Sequence, residues 1–80
     1  MAVYFITDGE YIKIGKAKDP QERLNGLQTG NPKNLFIIAT INGDEAVEYQ
    51  MHHRFKQWHH RGEWFKATPE MIKKISEVCQ

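Results

Sequence analysis

The sequence predicts an α+β domain with the element order β-β-α-β-α-(β)-α. Three observations predict it: a strand–turn–strand pattern opens the chain, a strongly apolar run of strand length sits near its middle, and three helix-length segments carry their own capping residues. Residues 2–7, AVYFIT, are β-branched and aromatic and read as the first strand. Asp8-Gly9 supplies a tight hairpin turn, and EYIKIGKA (10–17) returns as the partner strand, its alternation placing Tyr11 and Lys13 on one polar side. Asp19-Pro20 starts a helix, with Asp as the cap, Pro in the first helical position and Glu22 in the first turn. That helix runs to about Leu27–Gln28, where Gly30-Asn31-Pro32 stops it.

NLFIIATING (34–43) is the most apolar strand, and its continuity predicts a place inside the sheet. Asn42-Gly43-Asp44 is its exit turn, and Asp44 caps a second helix over about 45–59. Val47, Met51 and Phe55 recur at a spacing near four and form its buried stripe, with Trp58 next in the series. RGEWFKA (61–67) reads as a turn and a short extended piece. Thr68-Pro69-Glu70 caps a last helix whose Met71, Ile72, Ile75 and Val78 face inward. No repeat, low-complexity tract or linker interrupts this order, so residues 1–80 read as a single domain.

Eighty residues give a small core, near the lower limit for a chain without staples. The one cysteine, Cys79, excludes an intramolecular disulfide, so packing must supply the stability, which suits a reducing compartment. No apolar run approaches ~20 residues and a strand-like segment follows Met1 directly, so neither a membrane span nor a signal peptide is expected. The net charge of +1 does not announce a nucleic-acid binder, but its distribution is uneven. HHRFKQWHHR (52–61), containing Arg54 and Arg61, has no acid, and such a stretch can hold a phosphate backbone. The commoner meaning of such a stretch is a solvated helix end, where cations suit the dipole.

Four groups of residues could carry chemistry. Arg23 lies about one turn into the first helix, with Lys13, Lys16 and Lys18 just before it. Cations and free backbone N–H groups could meet an oxyanion there, or Arg23 could simply pair with Glu22 or Asp19. Glu48 and His52 stand four apart on one helix face. They could be a metal ligand with its supporting imidazole, although an intrahelical pair is the commoner case; Glu45 lies in the first turn, where the dipole favours an acid. The histidine pairs 52–53 and 59–60 are poorly spaced for zinc and have no nearby cysteine. GEWF (62–65) joins a Gly turn and an acid to two aromatics that would cap the core or, if exposed, stack on bases.

Together these positions resemble the GIY-YIG nuclease superfamily, most closely its small phage-type branch, some of whose members are labelled only as DNA-binding domains. The two family tripeptides stand here as Ala2-Val3-Tyr4 and Lys13-Ile14-Gly15, and the helical Arg follows as Arg23. The branch pattern of a Glu, a His four later, a Phe and then GEWF is met by Glu48, His52, Phe55 and Gly62–Phe65, so the likeness covers residues 2–67. The tripeptides alone are weak signals; their ordered combination with the later residues is specific.

The resemblance implies a small three-stranded antiparallel sheet flanked by helices and hydrolysis of a DNA phosphodiester with one divalent cation. It implies that Glu48 binds Mg²⁺ or Mn²⁺, that Arg23 holds the scissile phosphate and that Tyr4 lies at the attacking water. A phenol is a weak base at its ordinary pKa of about 10, and Lys13 or the metal could lower it. Two departures stand out. Lys13 replaces the second tripeptide's tyrosine, a variant of this branch, and Tyr11 two residues earlier could partly fill that place. No counterpart exists for the Asn typical of larger family sites, and His52 would hold the water or orient Glu48. Tyr11, Lys16, Lys18, Arg54 and Arg61 are the expected DNA-contacting residues.

The expected partner is double- or single-stranded DNA in the cytoplasm of a bacterial or phage-infected cell, without a membrane. At this size no separate target-recognition domain is expected, which leaves a homodimer or a recruiting partner protein as open sources of specificity. The alternative is a catalytically weak or inactive DNA-binding module of the same fold.

Overall fold

The computed structural model describes residues 1–79. Strand β1 (Ala2–Thr7) and strand β2 (Tyr11–Ala17) form the predicted antiparallel hairpin. Its turn is held by the Asp8 carboxylate, which accepts the Glu10 and Tyr11 N–H groups at 2.9 and 2.8 Å, while Gly9 takes φ +98°. Thr7, the buried polar residue of the sheet, donates its hydroxyl to the Tyr11 carbonyl at 2.7 Å and accepts the Gly9 N–H at 3.0 Å. Helix α1 (Pro20–Thr29) starts as predicted, with the Asp19 side chain accepting from Gln21 and Glu22. Strand β3 (Phe36–Asn42) leads to helix α2 (Glu45–Arg54), capped by Asp44. A 3-10 turn (Lys56–Trp58), strands β4 (His59–Arg61) and β5 (Trp64–Lys66) and helix α3 (Pro69–Val78), capped by Thr68, complete the order.

The sheet has five antiparallel strands in the order β3-β1-β2-β5-β4, not three. The three expected strands are its larger part; the β4–β5 hairpin adds to the free edge of β2 at Tyr11–Lys13. Each added strand has three residues, too short for a period of two to register in sequence. The apolar strand β3 is at the edge and not inside, bonded to β1 alone. Its continuous apolar run has another cause. A bulge between Phe5 and Ile6 pairs Phe5 with Ala39 but Ile6 with Ile37. Ile37 thereby packs on one side of the sheet while Ala39 and Ile41 pack on the other, and Phe36 and Ile38 are left exposed.

Two further expectations are corrected. Helix α2 ends at Arg54 instead of residue 59, because the chain tightens into the 3-10 turn. That turn brings both Phe55 and Trp58 onto the core at a spacing of three before His59 joins β5. On α3, Met71 and Ile75 are buried and Val78 packs beside them, but Ile72 is 47 % exposed, one position off that stripe.

The sheet divides the interior. Beneath α2 and α3 lies a core that includes Val3, Phe5, Ile12, Ile14, Phe55 and Phe65. On the opposite face α1 covers a smaller cluster of Tyr4, Ile6, Ala17 and Leu35 with Leu24 and Leu27, and none of its own residues is fully buried. Among the described residues no helix is long and apolar enough to cross a membrane.

Candidate functional site

Tyr4 pairs with Gly15 across β1 and β2, and cross-strand partners share a face. The phenol lies directly over the glycine: a Cβ on Gly15 would stand 2.6 Å from Tyr4 Cζ and closer still to Oη. Gly15 is therefore the opening through which the hydroxyl passes the strand. Tyr4 is fully buried, and its Oη has no hydrogen-bond partner among the described residues. Burial pushes this phenol above its ordinary value near 10; the Arg23 guanidinium opposes the shift, and the Glu63 and Glu48 carboxylates add to it.

Around Oη is a cavity of about 320 Å³ lined by Tyr4, Lys16, Lys18, Arg23, Glu48 and Glu63. Arg23 reaches it from the first turns of α1 and makes no ion pair with Asp19, Glu22 or any other acid among the described residues. The free backbone N–H groups expected there are not available, because Asp19 takes those of Gln21 and Glu22 at 3.1 and 3.2 Å. Cationic side chains alone remain to meet an anion. The wall opposite is acidic. Glu48, His52 and Glu63 each place a ligand atom within 4.8 Å of the other two. Lys16 stands 3.8 Å from Glu48 and 3.6 Å from Glu45, and Lys13 stands 3.5 Å from Glu63. His52 donates Nε2–H to the Ile14 carbonyl at 2.9 Å, and its ring meets Phe65 edge-on. A buried hydroxyl, an unpaired guanidinium and two carboxylates in one cavity can hold a phosphate oxygen on one side and a hard cation on the other.

Seven residues singled out from sequence thus converge: Tyr4, Lys16, Lys18, Arg23 and Glu48 on the cavity, with His52 and Lys13 reaching its acidic wall. Lys13, expected to act on Tyr4, is paired with Glu63 and lies 5.7 Å from the centre of the Trp64 ring; the cation acting on the phenol is Arg23. Tyr11 shares the face of Lys13, but it stacks on His60 with ring centres 4.5 Å apart and does not line the cavity. Arg54 ends α2 beside a separate depression, and Arg61 pairs with Trp64 at the outer strand, so the basic stretch does not form one surface. Of GEWF, Phe65 enters the core and Trp64 stays half-exposed. Glu63 is the site residue that sequence reasoning missed: its signal was the acid within GEWF, which the two flanking aromatics overshadowed.

A family model described as the T5orf172 domain matches residues 1–80, the whole chain. No curated protein and no solved structure matches it.

Proposed function

The chain belongs to the T5orf172 domain family, a phage-associated nuclease-like domain related to the GIY-YIG type, and from that premise we propose that it is a metal-dependent DNA endonuclease of GIY-YIG type. The observation that carries this reading is the buried, unpartnered Tyr4 hydroxyl, set between the unpaired Arg23 and the carboxylates of Glu48 and Glu63. A polar atom buried without a partner costs about 1–3 kcal/mol, and a site that tolerates one is shaped for a group the chain does not supply.

Hydrolysis needs a water oxygen aimed at phosphorus, neutralisation of the charge gathering on the phosphoryl oxygens, and departure of the far oxygen. Arg23 is placed for the second task, its guanidinium being free to take two phosphate oxygens. Tyr4 suits the first. With its pKa raised, the phenol stays protonated near neutral pH, so it orients the water by hydrogen bonding and does not remove a proton from it. Glu48 would hold Mg²⁺ or Mn²⁺, and the donor set fits a hard cation, which polarises a phosphoryl oxygen and assists the leaving group. Lys16 and Lys18 extend the positive side of the cleft along the path of the DNA backbone, and binding of this kind reads charge and shape more than bases.

Lys13 and Lys16 favour a second reading: standing beside Glu63 and Glu48, they neutralise both carboxylates without any metal. A DNA-binding module without cleavage would look the same at these positions. Incubation of plasmid and single-stranded DNA with Mg²⁺, Mn²⁺ or EDTA separates the two. Metal-dependent nicking that disappears in Glu48→Ala and Arg23→Ala is the expected result; binding without cleavage under every metal leaves only the module.

A further inference from the structure

We propose that Glu63 and His52 join Glu48 as the protein ligands of one divalent-cation site, and that its mixed carboxylate–imidazole character makes it select Mn²⁺ over Mg²⁺. The inference deepens the function proposed above and takes from it the role of Glu48.

Both added ligands are positioned by a single residue of β2. The Ile14 N–H donates to the Glu63 carbonyl at 3.0 Å, carrying the β2–β5 ladder one residue beyond Trp64. The Ile14 carbonyl accepts Nε2–H of His52 at 2.9 Å. A carbonyl can only accept, so Nε2 carries the hydrogen and Nδ1 of the neutral ring keeps its lone pair. A ligating histidine characteristically donates its other N–H to just such a group, which fixes tautomer and ring direction. Phe65, edge-on to the imidazole at 5.2 Å between ring centres, restricts it further. Ile14 thus ties α2 to the β4–β5 turn, and the donor atoms of Glu48, His52 and Glu63 come within 4.8 Å of one another.

The lysines do not saturate this cluster. Their ammonium groups stand 3.5 and 3.8 Å from Glu63 and Glu48, well beyond the about 2.7–2.9 Å of a charge-assisted hydrogen bond. They offset charge and leave the carboxylate lone pairs available. A second observation points to a ligand here: Tyr4 Oη, buried and unpartnered, faces the cavity that Glu48 and Glu63 line. Two carboxylates alone would suit Mg²⁺, which prefers oxygen and retains its waters, whereas an imidazole nitrogen moves the preference toward first-row divalent ions.

The test is titration of the full chain with MnCl₂, followed calorimetrically and by the pulsed-EPR nitrogen coupling of the bound ion, with MgCl₂ as competitor. Wild type should take up one Mn²⁺ per chain, show ¹⁴N coupling and resist displacement by equimolar Mg²⁺. Glu63→Gln should weaken Mn²⁺ by at least about tenfold, and His52→Gln should abolish the ¹⁴N coupling and the preference over Mg²⁺. Glu45→Gln, outside the cluster, should bind as wild type does. Glu63→Asp, melted beside Glu63→Gln, separates loss of a ligand from loss of the fold. Unchanged Mn²⁺ affinity in Glu63→Gln, or no nitrogen coupling in wild type, overturns the three-ligand site even if metal-dependent cleavage is found. Mn²⁺ binding by all three ligands without any cleavage leaves the site standing and removes the nuclease.

Discussion

Beneath α2 and α3 the sheet buries only apolar side chains, and Phe5, Phe55 and Phe65 interlock there without a polar atom among them. Across the same sheet, α1 covers a thinner layer in which the bulkiest member, Tyr4, ends in a hydroxyl with no partner. The two faces share strands, so the same residue pairs build both: Phe5 opposite Ile14 serves the first, Tyr4 opposite Gly15 the second. The difference teaches how an 80-residue chain, short of interior, can hold a polar site. One face supplies the stability, which frees the other to keep a polar group buried, a glycine in mid-strand and a helix without a fully buried residue. Consistency with a single packing rule is broken on one side only, and that is the side bearing the candidate site.

The sharpest break comes on the apolar face. Phe55→Ala should cost about 3–5 kcal/mol through lost burial and the cavity left behind. Set against a total of about 5–15 kcal/mol for such a domain, this will appear as a large fall in melting temperature. Gly15→Ala attacks the other face: the new methyl overlaps the Tyr4 ring, so about 1–3 kcal/mol should be lost in chemical denaturation, with cleavage lost too. The smaller effect of Tyr4→Phe has the opposite sign. Removing an unpartnered buried hydroxyl should raise unfolding free energy by about 1 kcal/mol, whereas deleting a satisfied one would lower it.

The same residue gives a pH signature. Below about pH 10 the phenol is protonated in folded and unfolded chains alike and adds no pH dependence. Above it the unfolded chain releases the proton first, because burial has raised the folded value, so wild type should lose stability with rising pH while Tyr4→Phe does not. Melting curves of the two proteins between neutral and strongly alkaline pH will show it. Ile72→Thr, on the exposed side of α3, should change stability by no more than about 0.5 kcal/mol.

Much of this arrangement is legible from local chemistry. The Asp8-Gly9 hairpin and the caps at Asp19, Asp44 and Thr68 depend on residues within a turn of one another, and all four form as their sequences predict. Alternation placed Tyr11 and Lys13 on one face correctly. What alternation could not reveal is which neighbour that face receives: Tyr11 meets His60 and Lys13 meets Glu63, both brought in by strands of three residues. The bulge beside Ile38 was hidden for a related reason, since it depends on the register against β1 and not on β3 alone. Glu63 enters the site through the Ile14 N–H, a contact set by long-range strand pairing, and a turn acid carries no local mark of it.

The central claim is that the Tyr4 side of the sheet is a catalytic cleft rather than a poorly filled core. Mn²⁺-dependent relaxation of supercoiled plasmid by wild type and by Tyr4→Phe, with both proteins shown folded, tests it most directly. The expected result is cleavage by wild type and a loss of about 100-fold or more in Tyr4→Phe, despite that variant's greater stability. Equal rates in the two proteins, or no cleavage by wild type in any divalent metal, would contradict it.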